Sequence, residues 1–177
     1  MNTGKRIAVG LVLTLAAACA LLLFFAHHLL HPLPANAHVT SIKVAKAAHR
    51  LTLFDGDRAL KTYRISLGRG GLAPKEKEGD GRVPEGAYRI IEHNPHSDYH
   101  LSLRVSYPTP EQQRAATQAG IQPGGDIMIH GIANGFGWFG PLQRMKDWTA
   151  GCMAVTDPEI EEIYRTVPDG TAIEIEQ

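Results

Sequence analysis

The chain has little cysteine. Cys19 and Cys152 are its two thiols in 177 residues, too few for a disulfide framework. It also lacks a charge of one sign, since eighteen Lys and Arg balance eighteen Asp and Glu. Neither end carries a long run of like charge, so the electrostatic footprint of a nucleic-acid partner is missing. No internal repeat is visible. What remains is a 44% hydrophobic composition, enough for the core of one ordinary domain but not two.

The longest apolar run is at the start, where Lys5 and Arg6 precede an uncharged stretch from Ile7 to Ala26. This is an export signature. Twenty helical residues reach about 30 Å, the thickness of a bilayer core, whereas the apolar part of a cleaved signal usually runs ~7–15 residues. Length therefore favours an N-terminal apolar helix retained as a membrane anchor. Against it, Ala35-Asn36-Ala37 has the small-x-small form of a signal peptidase site. Cys19 follows three alanines and lacks the leucine of a lipidation site. Residues 1–37 are thus read as signal peptide or membrane anchor plus linker, and 38–177 as one exported domain. The positive end before the span places that domain outside the cytoplasm, periplasmic or otherwise extracytoplasmic. Membrane contact is expected only through the N-terminal segment. Export leaves Cys152 without an internal partner, a liability in an oxidising compartment unless it is buried or used.

Strands are expected over residues 41–44, 50–54 and 59–66, with Asp55-Gly56 as a hairpin turn. Residues 67–83, rich in glycine and charge, read as an exposed loop. Pro84-Glu85-Gly86 turns into a strand over 87–92. HNPHSDYH (93–100) is expected to be an exposed polar turn rather than a metal site, because Asn94-Pro95 breaks regular geometry between its histidines. From Tyr99 to Ser106 the residues alternate, with Tyr99, Leu101, Leu103 and Val105 on one face and His100, Ser102, Arg104 and Ser106 on the other, facing a cleft or solvent. Thr109-Pro110-Glu111-Gln112 and Thr156-Asp157-Pro158-Glu159 each begin a short helix. An apolar strand over 126–129 delivers His130, and strands follow at 153–155 and 171–176. The expectation is a mainly β domain with two short helices.

His130-Gly131 and Thr149-Ala150-Gly151-Cys152 carry the chemistry. A free thiol is only a few per cent ionised at neutral pH, so a nucleophilic cysteine needs a base. If the two segments lie side by side in a sheet, the imidazole of His130 reaches the sulfur, and the Gly131 carbonyl fixes the tautomer as an aspartate does in other triads. Thr149, Ala150 and Gly151 form a tight turn whose N–H groups can converge on an oxyanion. Between the two segments, Gly135, Gly137 and Gly140 flank Phe136, Trp138 and Phe139, a segment that either packs into the core, the favoured expectation, or covers substrate as a lid.

In this context the chain resembles the L,D-transpeptidase catalytic (YkuD-type) domains of bacterial cell-wall enzymes. Their signature is HG, a variable stretch, then [S/T]-x-G-C, followed by a hydrophobic residue and commonly arginine. GDGRVPEGAYRI (79–90) is similar to their GD-x-x-TPEG block and LTLFDG (51–56) to their opening hairpin. The resemblance covers roughly residues 40–177. It implies a YkuD-like mixed β-sheet sandwich, Cys152 as nucleophile, His130 as base and Gly131 as orienting carbonyl, and no cofactor or metal. The implied substrates are peptidoglycan stem peptides, attacked at the L,D bond before the terminal D-alanine. The acceptor is a neighbouring stem amine, a lysine of an outer-membrane lipoprotein, a free D-amino acid or water. Two departures stand out: Val83 replaces the threonine of TPEG, and Ala154 the arginine after the cysteine. The lost arginine makes Arg104, Arg144 or Lys146 a replacement clamp, and His100, Arg104, Trp138 and Arg144 the candidate substrate contacts. Ala-Val-Thr-Asp after the cysteine also resembles YafK-like hydrolases. An inactive cell-wall-binding domain is the non-enzymatic alternative.

Overall fold

The computed structural model describes residues 10, 12–19, 32–34 and 36–177. Most of the apolar run Ile7–Ala26, linker residues 27–31 and Ala35 of the expected cleavage site lie outside the described residues. Residues 12–19 are helical (α1), and no helix of the described residues is long and apolar enough to cross a membrane. The chain divides into two units, Met1–Pro32 and Leu33–Gln177; the second carries the sheet and the site.

Its strands are β1 (Ser41–Ala45), β2 (Arg50–Asp55), β3 (Arg58–Arg64), β4 (Gly86–Ser97), β5 (His100–Val105), β6 (Met128–His130), β7 (Met153–Ala154) and β8 (Ala172–Glu176). They form one mixed sheet of eight strands in the order β3-β2-β1-β8-β4-β5-β6-β7. The β1–β8 and β6–β7 pairs are parallel. The sheet curls until its ends meet: Ser66, just past β3, exchanges main-chain hydrogen bonds of 2.9 and 2.8 Å with Ala154 of β7. This closure protects both edges and gives β7 a partner on each side.

Alternation sets which face is inside. Ile42 and Val44 of β1, Leu51 and Leu53 of β2, Leu103 and Val105 of β5, and Ile173 and Ile175 of β8 all enter one apolar core. Each such side chain contributes about 1.5–3 kcal/mol on full burial. Helix α3 (Asp157–Thr166) adds Ile160 and Ile163 to it. Both helix starts use the expected cap. Gln112 N–H donates to Thr109 Oγ1 while Thr109 N–H donates back to Gln112 Oε1, opening α2 (Pro110–Gln118). Thr156 N–H and Oγ1 both donate to Glu159 at the start of α3.

Three sequence expectations are corrected. Strand β4 does not stop at Glu92 but runs through HNPHS to Ser97, because Asn94-Pro95 falls where the β4–β5 register shifts, between Asn94 and Ser97. A bulge asks no ladder donor of proline, so Pro95 does not end the strand. Residues Gly137–Met145 form a 3-10 segment kinked at Gly140, a third helical element beyond the two expected. Phe136, Trp138 and Phe139 do not pack into the core: they are 59%, 76% and 40% exposed.

Candidate active site

Strand β6 is short and apolar, lies between β5 and β7, and presents His130 at its C-terminal end. The parallel register pairs Ile129 with Met153 and His130 with Ala154; continued by one step, it sets Met128 beside Cys152. Cys152 immediately precedes β7, so the β6–β7 pairing brings it close to the strand that ends in His130. The Cα atoms of His130 and Cys152 are diagonal neighbours, roughly 8 Å apart from strand spacing and rise alone. The 22-residue separation in sequence is thereby closed.

His130 is 3% exposed. Its Nδ1–H donates to the main-chain oxygen of Gly131 at 2.7 Å. A carbonyl only accepts, so Nε2 carries the free lone pair of a neutral imidazole. Burial pulls the His130 pKa down to about 4, and the Gly131 carbonyl offsets this only in part. Gly131 is required by close approach: a Cβ there would lie 2.8 Å from Asp157 Oδ1 and 3.0 Å from the main-chain oxygen of Tyr99.

Cys152 is half-buried. Its thiol donates to the main-chain oxygen of Asp126 at 3.4 Å, and among the described residues no hydrogen bond joins it to His130. Burial pushes the thiol pKa up; the Met128 N–H counters this, the Asp126 charge adds to it, and the Lys75 charge opposes it. The resting pair is therefore a neutral thiol and a neutral imidazole rather than a preformed ion pair.

The turn before the cysteine is built by Thr149, whose Oγ1 donates to the Cys152 carbonyl at 2.8 Å and accepts from Gly151 N–H at 3.2 Å. Gly151 has φ +131°, and a Cβ there would stand 2.9 Å from the Arg82 carbonyl, so only glycine lets the turn pass beneath the 67–85 loop. The N–H groups of Thr149 and Gly151 are both committed, the former to Leu67 O. That narrows the expected oxyanion donors of the turn to Ala150 and Cys152.

The candidate substrate contacts separate. Arg104 lies on the site's side of the sheet, opposite Met128 in register, with its guanidinium 3.1 Å from Glu92 and 3.3 Å from Asp126. Arg144 is held by Glu159 of α3. His100 is engaged by Glu161 of α3 at 2.8 Å. Trp138 stands out from the 3-10 segment, near an apolar cavity of about 430 Å³ lined by Ile132, Phe136, Phe139, Leu142, Met145 and Trp148. His93 goes elsewhere, to Asp169 and the Val167 carbonyl, so the rings of His93 and His100 have separate partners.

Sequence reasoning missed three neighbours of the pair. The Tyr99 ring lies 4.5 Å from that of His130 and the Trp148 ring 5.7 Å. Ser102, opposite His130 across β5–β6, has a buried hydroxyl without a hydrogen-bond partner. The polar face of the Tyr99–Ser106 alternation was the available signal for Ser102; for the two rings, only proximity in the fold reveals the role.

Residues 40–175 match the YkuD family, the L,D-transpeptidase catalytic domain. The provisionally named L,D-transpeptidase YafK of Escherichia coli is 30% identical over 110 residues, which are 61% of this chain and 37% of that protein. The chain thus matches little more than a third of the length of this relative. Among solved structures, the helical cell shape determining protein Pgp2 of Campylobacter jejuni superposes with a TM-score of 0.59 at 23% identity, covering 80% of this chain and 49% of that one. An L,D-transpeptidase of Mycobacterium smegmatis gives 0.51 at 16% identity, covering 77% and 58%. At these identities the two structures speak for the fold alone.

Proposed function

Because the chain belongs to the YkuD family of L,D-transpeptidase catalytic domains, we propose that it is a cysteine acyltransferase acting outside the cytoplasm on peptidoglycan stem peptides. The observation that carries this reading is the parallel β6–β7 pairing, which runs His130, its Nδ1–H committed to Gly131 O, alongside the strand that begins one residue after Cys152.

In the proposed reaction, Nε2 of His130 takes the thiol proton as the sulfur attacks the carbonyl joining the third stem residue to D-alanine. Thiol and imidazole are both neutral at rest, so this transfer accompanies attack instead of preceding it. The tetrahedral intermediate collapses by breaking the C–N bond, and the imidazolium proton goes to the leaving amine. D-Alanine departs and an acyl thioester stays on Cys152. An acceptor amine or water then gives its proton to His130, attacks the thioester carbonyl, and the sulfur leaves to be reprotonated. A stem amine yields a cross-link, a lipoprotein lysine an attached protein, a free D-amino acid an exchanged terminal residue, and water a trimmed tripeptide.

D-Alanine release from a tetrapeptide stem tests the reading. Wild-type protein releases it and Cys152→Ala does not, with His130→Gln losing roughly 10³-fold or more. Release by Cys152→Ala at the wild-type rate would overturn the mechanism. Mass spectrometry of digested muropeptides after incubation identifies the acceptor.

A further inference from the structure

We propose that Tyr99 and Trp148 are positioning residues for His130: two rings, each carried on a hydrogen-bonded segment, that fix the imidazole and shield it from water until substrate arrives. The inference rests on reading His130 as the base.

Three rings pack together here. Tyr99 and Trp148 lie 4.5 and 5.7 Å from His130 and 5.9 Å from each other, so they close around the imidazole as adjacent walls. Tyr99 is tilted by 41° over the histidine, whereas Trp148 meets it edge-on at 71°, an arrangement in which aromatic contacts are favourable. Both outer rings reach the surface, Tyr99 at 39% exposure, while His130 is sealed at 3%. They are what stands between the imidazole and solvent.

Each ring has its own fastening. Tyr99 sits in the β4–β5 turn, where its carbonyl accepts from Gly131 N–H at 3.1 Å and its N–H donates to Ser97 Oγ at 3.1 Å. Asn134 clamps that turn three times, through Asp98 O at 2.9 Å, Ser97 O at 3.0 Å and His100 N–H at 2.9 Å. Trp148 donates Nε1–H to Gln143 Oε1 at 2.7 Å, and buried Gln143 also meets the carbonyl of Ala154, the register partner of His130. Next to Trp148, Asp147 accepts from Leu67 N–H and pairs with His49. Such a double fastening exceeds what filling a gap in the core requires.

The elements around His130 present few other ionisable groups. β5 gives Ser102 and the Arg104 guanidinium, which pairs with Glu92 and Asp126, β7 and the turn before it give Ala154 and the Cys152 thiol, the segment before β6 gives Asp126, and α3 gives Asp157, bound to Ile132 N–H. The low His130 pKa has burial as its cause, with no contribution from a charged neighbour. Removing a covering ring therefore acts by admitting water.

The test is an NMR titration of the histidine rings in the full chain, with the His130 signal assigned by its absence in His130→Gln. Wild-type His130 stays neutral down to about pH 4. Tyr99→Ala and Trp148→Ala each move its midpoint toward the ordinary value near 6.5. The acid limb of kcat/KM moves with it, and kcat falls roughly tenfold or more at unchanged KM. Tyr99→Phe, which keeps the ring, behaves as wild type. Trp148→Phe, the substitute if the alanine variant does not fold, shows a smaller shift of the same sign. An unmoved midpoint in Tyr99→Ala, an effect of Tyr99→Phe equal to that of alanine, or a rise in KM alone would each overturn the inference. The midpoint is read without turnover, so a protein that releases no D-alanine defeats the reading of His130 as base while the shielding by the two rings is judged separately.

Discussion

Two loops wall the candidate site, and they are held by opposite means. The 67–85 loop is polar and pinned. Lys75 and Asp80 form a pair at 2.9 Å with side chains 4% and 8% exposed, and Asp80 also accepts from the N–H groups of Glu76, Lys77 and Arg82. Burial alone would raise the Asp80 pKa, but these donors hold it well below the usual carboxylate range. Lys46, fully buried, reaches the same loop through the carbonyls of Ala73 and Val83 and the carboxylate of Glu85. The 132–146 loop is apolar and loosely tied. It exposes Phe136, Trp138, Phe139, Leu142 and Met145, and its side-chain polar ties sit at its two ends, at Ile132 and Asn134 and at Gln143 and Arg144. The contrast teaches that one wall is a fixed backstop for the Cys152 turn, while the other is free to adapt to what enters the site.

The largest expected effect strikes the pinned wall. Asp80→Ala leaves the Lys75 ammonium buried and unpaired, and urea unfolding should show a loss of about 3–5 kcal/mol. A loss below about 1 kcal/mol would erase the distinction between the walls. Next comes the histidine they enclose. Its folded pKa, about 4, lies below the ordinary histidine value near 6.5, so the unfolded chain binds more protons between those values. Stability from this group is therefore present above pH 6.5 and lost as pH falls toward 4, by about 3 kcal/mol in all. Unfolding measured from pH 7 to 4 should show that slope, and His130→Gln should lack it. Smallest is the change at the loose wall. Trp138→Ala should alter stability by no more than about 0.5 kcal/mol. Hydrogen exchange should be faster across 135–142 than across 75–85, and equal protection of the two would break the comparison.

Much of the fold was legible because its signals are local. Alternation marked β1, β2, β5 and β8, and the two threonine caps with their Gln112 and Glu159 partners marked α2 and α3. The errors arose where local punctuation was overruled. Pro95 reads as a stop, yet a bulge absorbs it inside β4. Phe136, Trp138 and Phe139 read as core by composition, yet Gly140 and Pro141 bend their segment into a 3-10 kink that leaves them outside. At the site, Gly131 was legible as the carbonyl that orients His130 and Gly151 as part of a tight turn, both of which bring other groups close. The identity of what approaches, Asp157 and the Arg82 carbonyl, was not.

By itself the sequence determined the chemistry on offer: one thiol in the domain, a histidine beside a glycine, and a glycine-rich turn ahead of the thiol. Residue type and neighbour fix these, and no fold is needed to read them. Only the tertiary structure decided that β6 and β7 run parallel in register, that the thiol bonds to Asp126, and that Tyr99 and Trp148 cover His130. Those relations join residues distant in the chain. They are set by how the curled sheet closes and by which side chains remain between the imidazole and water.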